Sequence, residues 1–323
     1  MKIEDENNRI LSPKNQLFLY GYSKYFQFFY KLFQLKRLPN TILLSGPKGS
    51  GKATFAYHFI NYILSKQEQN NYGVDNFSIN PENKSYKLVC DNTHPNFFLL
   101  DNNILDEQIK IEKVRNLIKY INKSTFSSNI KLLMIDNVES LNINSSNALL
   151  KVLEEPSKDT FIFIVHNSKS SILNTIKSRS IEFKFLLNKK EKLKIFNDLI
   201  KQYNINVESN TFDEYLSFET PGNILNYLNI LNENKISVTN NDQSSIFDLL
   251  DCYKQKKDPK ILFYISFLIE VFYNKLSLKN KRNLNFYFMK KSKAVNQIRD
   301  FKKFNLDRNN IFITLSEMIK NET

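Results

Sequence analysis

Apolar positions over the first 187 residues switch between two periods. Residues 41–45 (TILLS), 97–101 (FFLLD), 131–136 (KLLMID) and 160–165 (TFIFIV) are short apolar runs of strand length, and 181–185 reads as a fifth strand. Between them the spacing is helical. Residues 51–65 place Phe55, Phe59, Tyr62 and Ile63 on one face, and 111–122 do the same with Val114, Leu117, Ile118 and Ile121. Residues 145–155 form a third predicted helix, stopped by Pro156, with Ser145 or Asn144 as its cap. An aromatic, helix-like pattern covers 14–38 and ends at Pro39, and the polar, Asn-rich stretch 66–95 reads as a loop or irregular insertion. Strands alternating with helices predict an α/β fold whose parallel sheet is covered on both faces. After about residue 187 only helical periodicity remains, at 189–203, 211–218, 223–233, 244–255, 259–277 and 281–304. The expected organisation is an α/β domain over 1–187, a small helical domain over 188–240 and an all-helical domain over 241–323. No internal repeat is visible.

Composition adds exclusions. The 323 residues include 27 Phe, 16 Tyr, no Trp and only 6 Gly, with abundant Asn and Lys. This is the signature of A/T-rich coding. The net charge of +13 suggests an anionic partner, but codon drift towards Lys produces the same figure. Residues 241–323 hold 16 Lys and Arg against 9 Asp and Glu, which reads more readily as a solvated helical surface than as a nucleic-acid face. Cys90 and Cys252 cannot build a disulfide framework or a four-cysteine zinc site. Residues 1–10 are mixed in charge, unlike a signal peptide. The apolar stretch 261–273 contains Glu270 and is short for a bilayer. An intracellular, cytoplasmic protein without a membrane partner is expected.

Three of the six glycines fall within six residues, in Gly46-Pro47-Lys48-Gly49-Ser50-Gly51-Lys52-Ala53-Thr54. The segment follows a strand and opens a helix. In that setting backbone N–H groups can wrap phosphates and Lys52 can reach the terminal ones. The bland alternative is a ligand-free glycine turn, but the full spacing with Lys in place is rare by chance. A Ser or Thr after the lysine would ligate Mg²⁺; here it is Ala53, and Thr54 lies one position late. The strand 131–136 ends in Asp136, suited to holding a metal through water, and is followed by Asn137 where an ATPase needs a Glu. An amide cannot accept a proton, and loss of a general base costs about 10²–10⁴ in rate.

Asn147-Ala148-Leu149-Leu150-Lys151-Val152-Leu153-Glu154-Glu155-Pro156, followed by Ser178-Arg179-Ser180, resembles the bacterial clamp-loader subunits of the AAA+ class, delta-prime type. The GPKGSGKAT segment, His94-Pro95-Asn96, Thr220-Pro221-Gly222 and Gly21 match in the same order, so the resemblance covers roughly residues 10–235. It implies an AAA+ P-loop domain, a helical lid and a helical collar that packs five subunits into a ring with gamma/tau and delta partners. Through that complex the chain would act on the sliding clamp and primer–template DNA. It implies a stator that does not hydrolyse ATP and offers Arg179, flanked by Ser178 and Ser180, to a neighbour's nucleotide. Ser180 stands where the family has Cys. Ala53, Asn137 and Asn223, the last near an expected ATP-sensing arginine, all depart towards a non-hydrolysing subunit. Binding of ATP with Mg²⁺ by this loop stays open, but is not an expected requirement. Zinc is not implied, because 66–93 holds only Cys90 of the family's four-cysteine module. The rival reading is an ATP-hydrolysing motor of gamma/tau type or a related AAA+ ATPase. His58, His166, Cys252 and the aromatic stripe 261–273 are expected to serve packing.

Overall fold

The computed structural model describes residues 12–102, 108–123, 130–156, 159–205, 212–236, 242–304 and 307–320. The mixed-charge residues 1–10 lie outside the described residues. Five strands, β1 Thr41–Gly46, β2 Phe97–Leu100, β3 Lys131–Ile135, β4 Thr160–Asn167 and β5 Ile181–Lys184, form one sheet in the order β2-β3-β4-β1-β5. All four pairings are parallel. The helices are α1 Ser23–Gln34, α2 Lys52–Leu64, α3 Lys84–Cys90, α4 Ile111–Ile121, α5 Ile143–Glu154, α6 Asn174–Ser178, α7 Lys189–Gln202, α8 Tyr215–Phe218, α9 Pro221–Glu233, α10 Asp242–Lys256, α11 Pro259–Lys279, α12 Leu284–Phe304 and α13 Arg308–Lys320.

The period-2 alternation of a strand explains why β1 to β4, with both faces covered, are mostly apolar, while the edge strand β5 carries Glu182 and Lys184. Ile42, Leu44, Leu132, Met134, Phe163 and Val165 project to one face, into a core filled by Phe26 and Phe29 of α1 and Phe55 and Phe59 of α2. Their neighbours Leu43, Leu133, Ile135, Ile162 and Ile164 project to the other, against Val114 and Leu117 of α4 and Leu149 and Leu153 of α5. The first core is aromatic, with Phe29 and Phe55 edge-to-face at 5.1 Å and Phe55 and Phe185 at 5.0 Å. In parallel sheets of this kind ligand crevices form at the carboxyl ends of strands where the chain order reverses. The glycine-rich segment leaves β1 at such a point, between β4 and β5.

Several predicted boundaries are corrected. The first helix covers only Ser23–Gln34. Gly21 precedes it at a φ of 83°, and it ends before Lys36, at a φ of 55°, rather than at Pro39. The stretch 66–95 is not loop throughout: Asn83 caps α3 by accepting a hydrogen bond from the Tyr86 N–H. Helix α5 starts at Ile143, and its cap is Asn142, which accepts from the Ser145 N–H at 2.8 Å, not Ser145 or Asn144. Pro221 opens α9, where its missing N–H costs nothing. Of 211–218 only Tyr215–Phe218 is helical among the described residues, and α13 is a helix that the periodicity does not predict.

The chain divides into two compact units, Met1–Asp198 with Thr220–Asn223, and Leu199–Glu219 with Ile224–Thr323. In the second, α11 buries Ile261, Leu262, Ile265, Leu268, Ile269 and Tyr273, and α10, α12 and α13 supply Leu249, Ile298 and Leu315. The aromatic stripe 261–273 is thus core. Helix α11 has 21 residues, long and apolar enough to cross a membrane by length and composition, which corrects the shorter span expected. Half of its apolar window is buried inside the protein, as in a core helix. Cys252 is only half-buried, its Sγ donating to Asn234 Oδ1.

Candidate functional site

The segment from Gly46 to Thr54 forms the predicted turn between β1 and α2. Gly49 and Gly51 take φ of 75° and 89°, conformations that a Cβ disfavours. At Gly49 a Cβ would also stand 2.4 Å from Thr220 Oγ1 and 2.7 Å from the Asn223 N. Thr220–Asn223 belongs to the first unit and lies directly on this turn. Thr220 Oγ1 donates to Lys48 O at 2.7 Å, and the Gly222 N–H donates to Gly49 O at 3.1 Å. Pro47 and Ser50 complete the turn. Ser50 is buried, its carbonyl accepting from the Tyr22 hydroxyl at 2.7 Å.

Lys52 is buried at the start of α2. Its Nζ donates to Gly46 O at 2.9 Å and to Pro47 O at 2.6 Å. Burial lowers its pKa to about 8, against the opposing fields of Glu139 and Asp136. Asp136 lies beyond β3, where burial raises its carboxyl to about 6 although its Oδ1 accepts the Asn137 N–H at 2.9 Å. Asn137 takes a φ of 54° and turns its amide to Asn102 Oδ1, where it cannot accept a proton. Glu139, which belongs to none of the motifs above, exerts the largest charge effect on Lys52 and accepts the Asn167 N–H at 3.2 Å. Its only sequence signal is a carboxylate three places beyond Asp136. Thr220 and Asn223 are singled out by the resemblance, but no local pattern shows that they contact the turn about 170 positions away.

Ala53 offers a metal no oxygen, Asn137 offers no base, and the Lys52 ammonium donates to the turn's own carbonyls. The site chemistry that remains is a buried lysine among carboxylates. No cluster of three His, Cys, Asp or Glu that could hold a metal occurs among the described residues. Cys90 donates towards Lys14 O and Asn15 Oδ1 instead.

Arg179 caps α6, just before β5. Its Nη2 pairs with Glu154 Oε1 at 2.8 Å, and its Nη1 donates to Thr175 O at 3.1 Å. Arg179 thus has a carboxylate partner within its own domain. The pair lies at the surface, and such pairs hold by only about 0.2–1 kcal/mol, so the guanidinium is retained loosely. Ser178 and Ser180 bond back to Thr175 O and Ile176 O, fixing the α6–β5 junction. The fold thus gathers Gly46 to Thr54, Asp136 and Asn137 at one end of the sheet, whereas Arg179 is tied to the end of α5 by Glu154.

The family profile described as DNA polymerase III, delta subunit, matches residues 21–189. The chain is similar to the DNA polymerase III subunit delta' of Pseudomonas aeruginosa, at 32% identity over 140 residues, 43% of this chain and 41% of that protein. It is also similar to subunit gamma of Buchnera aphidicola from Acyrthosiphon pisum, at 30% over 230 residues, 69% of this chain and 59% of that protein. The matches span about two-fifths to three-fifths of these relatives' own lengths. A solved gamma subunit-related protein of Thermotoga maritima shares the fold, with a TM-score of 0.53 and 16% identity over 91% of this chain and 98% of that one.

Proposed function

The chain belongs to the DNA polymerase III delta-subunit family, and from that premise we propose that it is the delta-prime-type, non-hydrolysing member of a cytoplasmic clamp loader. In this reading it joins gamma/tau and delta subunits in a five-membered ring that places the sliding clamp on primer–template DNA. The α/β domain over 1–187 serves as the rigid wall, 188–240 as lid and 241–323 as collar. The observation that carries the reading is the pair Ala53 and Asn137, which flank Lys52 and Asp136 without a metal ligand or a base, while the Lys52 ammonium holds the turn through Gly46 O and Pro47 O. Such a loop is scaffold. Catalysis would then be lent outward through Arg179, whose exchange of Glu154 for a neighbour's phosphoryl oxygens costs little. A planar guanidinium matches those oxygens in two places at once.

The motor reading has one observation in its favour, the longer alignment with a gamma subunit. Ala53 and Asn137 weigh against it, since each removes a separate part of hydrolysis.

Arg179→Ala and Arg179→Lys test the proposal in a loader reassembled with its partner subunits. Both variants are expected to fold and to enter the ring, because the Glu154 pair is weak. Turnover at the site Arg179 serves should fall by roughly 10³–10⁵, seen as reduced clamp- and DNA-stimulated ATPase and slower loading. Unchanged loading with either variant would mean that Arg179 only tethers Glu154.

A further inference from the structure

The start of α12 leaves large apolar side chains in water. Leu284 is 50% exposed, Phe286 49%, Phe288 61% and Met289 70%, all within six residues. Four large apolar side chains exposed within two turns of one helix are more than the scattered single residues a surface ordinarily carries. The surrounding charge has one sign. From residue 271 to residue 299 the sequence has eight Lys and Arg and no Asp or Glu. Codon drift towards Lys does not account for the missing acids, since 33 acidic residues in 323 would put about three in a stretch of this length. Both exposed rings carry a cation: Lys290 Nζ lies 4.6 Å from the Phe286 centroid, and Lys291 Nζ 5.2 Å from that of Phe288.

The geometry discriminates among partners. At about 100° per residue, Phe286 and Phe288 stand about 160° apart around the helix. A flat protein face or a bilayer covers one side of a helix and would leave the other ring wet. A flexible strand can pass around the helix end, stack a base on each ring and place its phosphates against the lysines, which is how single-stranded nucleic acid is held without sequence preference. A duplex offers its phosphates but not its base faces. We propose that the N-terminal end of α12, Phe286 and Phe288 with Arg282, Lys290 and Lys293, is a binding surface for single-stranded nucleic acid. This goes beyond the assembly role above and depends on neither Arg179 nor the ring.

The test uses the full chain and fluorescence anisotropy with an oligo-thymidylate of twenty nucleotides, compared with a duplex of equal length. The single strand is expected to bind more tightly. Phe286→Ala with Phe288→Ala should weaken it at least tenfold while leaving the melting temperature unchanged, because both rings are already half in water. Lys290→Gln with Lys293→Gln should flatten the slope of log affinity against log salt by about 0.7 for each phosphate no longer neutralised. Equal binding by the ring variant, or duplex bound as tightly as single strand, would overturn the proposal. So would ring-dependent binding to phosphatidylserine vesicles, or ring-dependent self-association, in a chain that ignores the oligonucleotide.

Discussion

His58 and His94 are each held neutral by partners that need one ring nitrogen bare. His58 is wholly buried; its Nε2–H donates to Gln16 O at 3.1 Å and its Nδ1 accepts from the Tyr72 hydroxyl at 3.0 Å. Burial lowers its pKa to about 3. His94 Nδ1 accepts the Asn96 N–H, so its Nε2–H faces Ser85 Oγ, which in turn donates to Glu68. Burial lowers this pKa as well. The relay closes the segment between α2 and β2 with hydrogen bonds alone. A histidine whose folded pKa is depressed contributes stability that is full above the unfolded value of about 6.5 and is lost as pH falls. Asp136, raised to about 6, acts with the opposite sign: its contribution is full below the unfolded carboxylate value and lost as pH rises through 6. Two imidazoles outweigh one carboxyl, so melting temperature should drop from pH 7.5 to pH 5. His58 alone accounts for up to about 1.4 kcal/mol per pH unit. His58→Gln should melt lower at neutral pH yet show a flatter pH profile, and parallel profiles for parent and variant would refute this account.

At the scale of elements, the second unit depends on a charge buried where α8, α10 and α11 meet. Lys275 Nζ lies 2.9 Å from Asp242 Oδ2, 3.6 Å from Glu214 Oε2 and 4.0 Å from the Tyr215 ring centroid, and the Tyr215 hydroxyl donates to Asp242. Breaking a buried pair strands the other charge at a cost of about 3–5 kcal/mol, whereas replacing both partners with apolar groups can be close to neutral. Lys275→Met should therefore lose amide-exchange protection in α10 and α11, and Lys275→Met with Asp242→Leu should regain most of it. A double variant no better than the single would mean that packing, not charge, holds the junction. These helices are legible from their apolar period, and β1 to β4 from their short, mostly buried apolar runs, whereas the edge strand β5 carries Glu182 and Lys184 and is largely exposed. What the sequence hides is the ends. Helix α1 stops at the positive φ of Lys36 and α5 is capped by Asn142, choices made by backbone geometry among several residues that could each serve. Helix α13 escapes the pattern because its few buried side chains, Phe312, Leu315 and Ile319, are diluted by polar neighbours.

At the scale of the whole molecule, the glycine-rich turn is legible as chemistry but not as mechanics. Its spacing predicts a phosphate loop, and Ala53 and Asn137 stand where a metal ligand and a base are expected. That Thr220–Asn223 comes back to lie on Gly49, and that Glu139 faces Lys52, depends on contacts between distant segments that no local pattern carries. The same contacts give the loop a structural role of its own. Lys52 ties Gly46 O and Pro47 O together, which holds the turn closed, while the Ser168 N–H donates to Gly46 O at 3.0 Å from the region beyond β4. A hydrogen bond to a charged group contributes about 1.5–3 kcal/mol. Removing this one takes one of two donors from each carbonyl, since the Ser168 N–H still reaches Gly46 O and the Ser50 N–H still reaches Pro47 O, and the loss is partly offset because burying the ammonium is itself costly, as its lowered pKa shows. Lys52→Ala should consequently lower the melting temperature of the isolated chain by several degrees. The same variant should leave its ATP turnover where the parent's already lies, at the background of the assay. Steady-state hydrolysis by the parent that Lys52→Ala abolishes, with no change in melting, would show instead that the loop is kept for catalysis and that the chain is a motor.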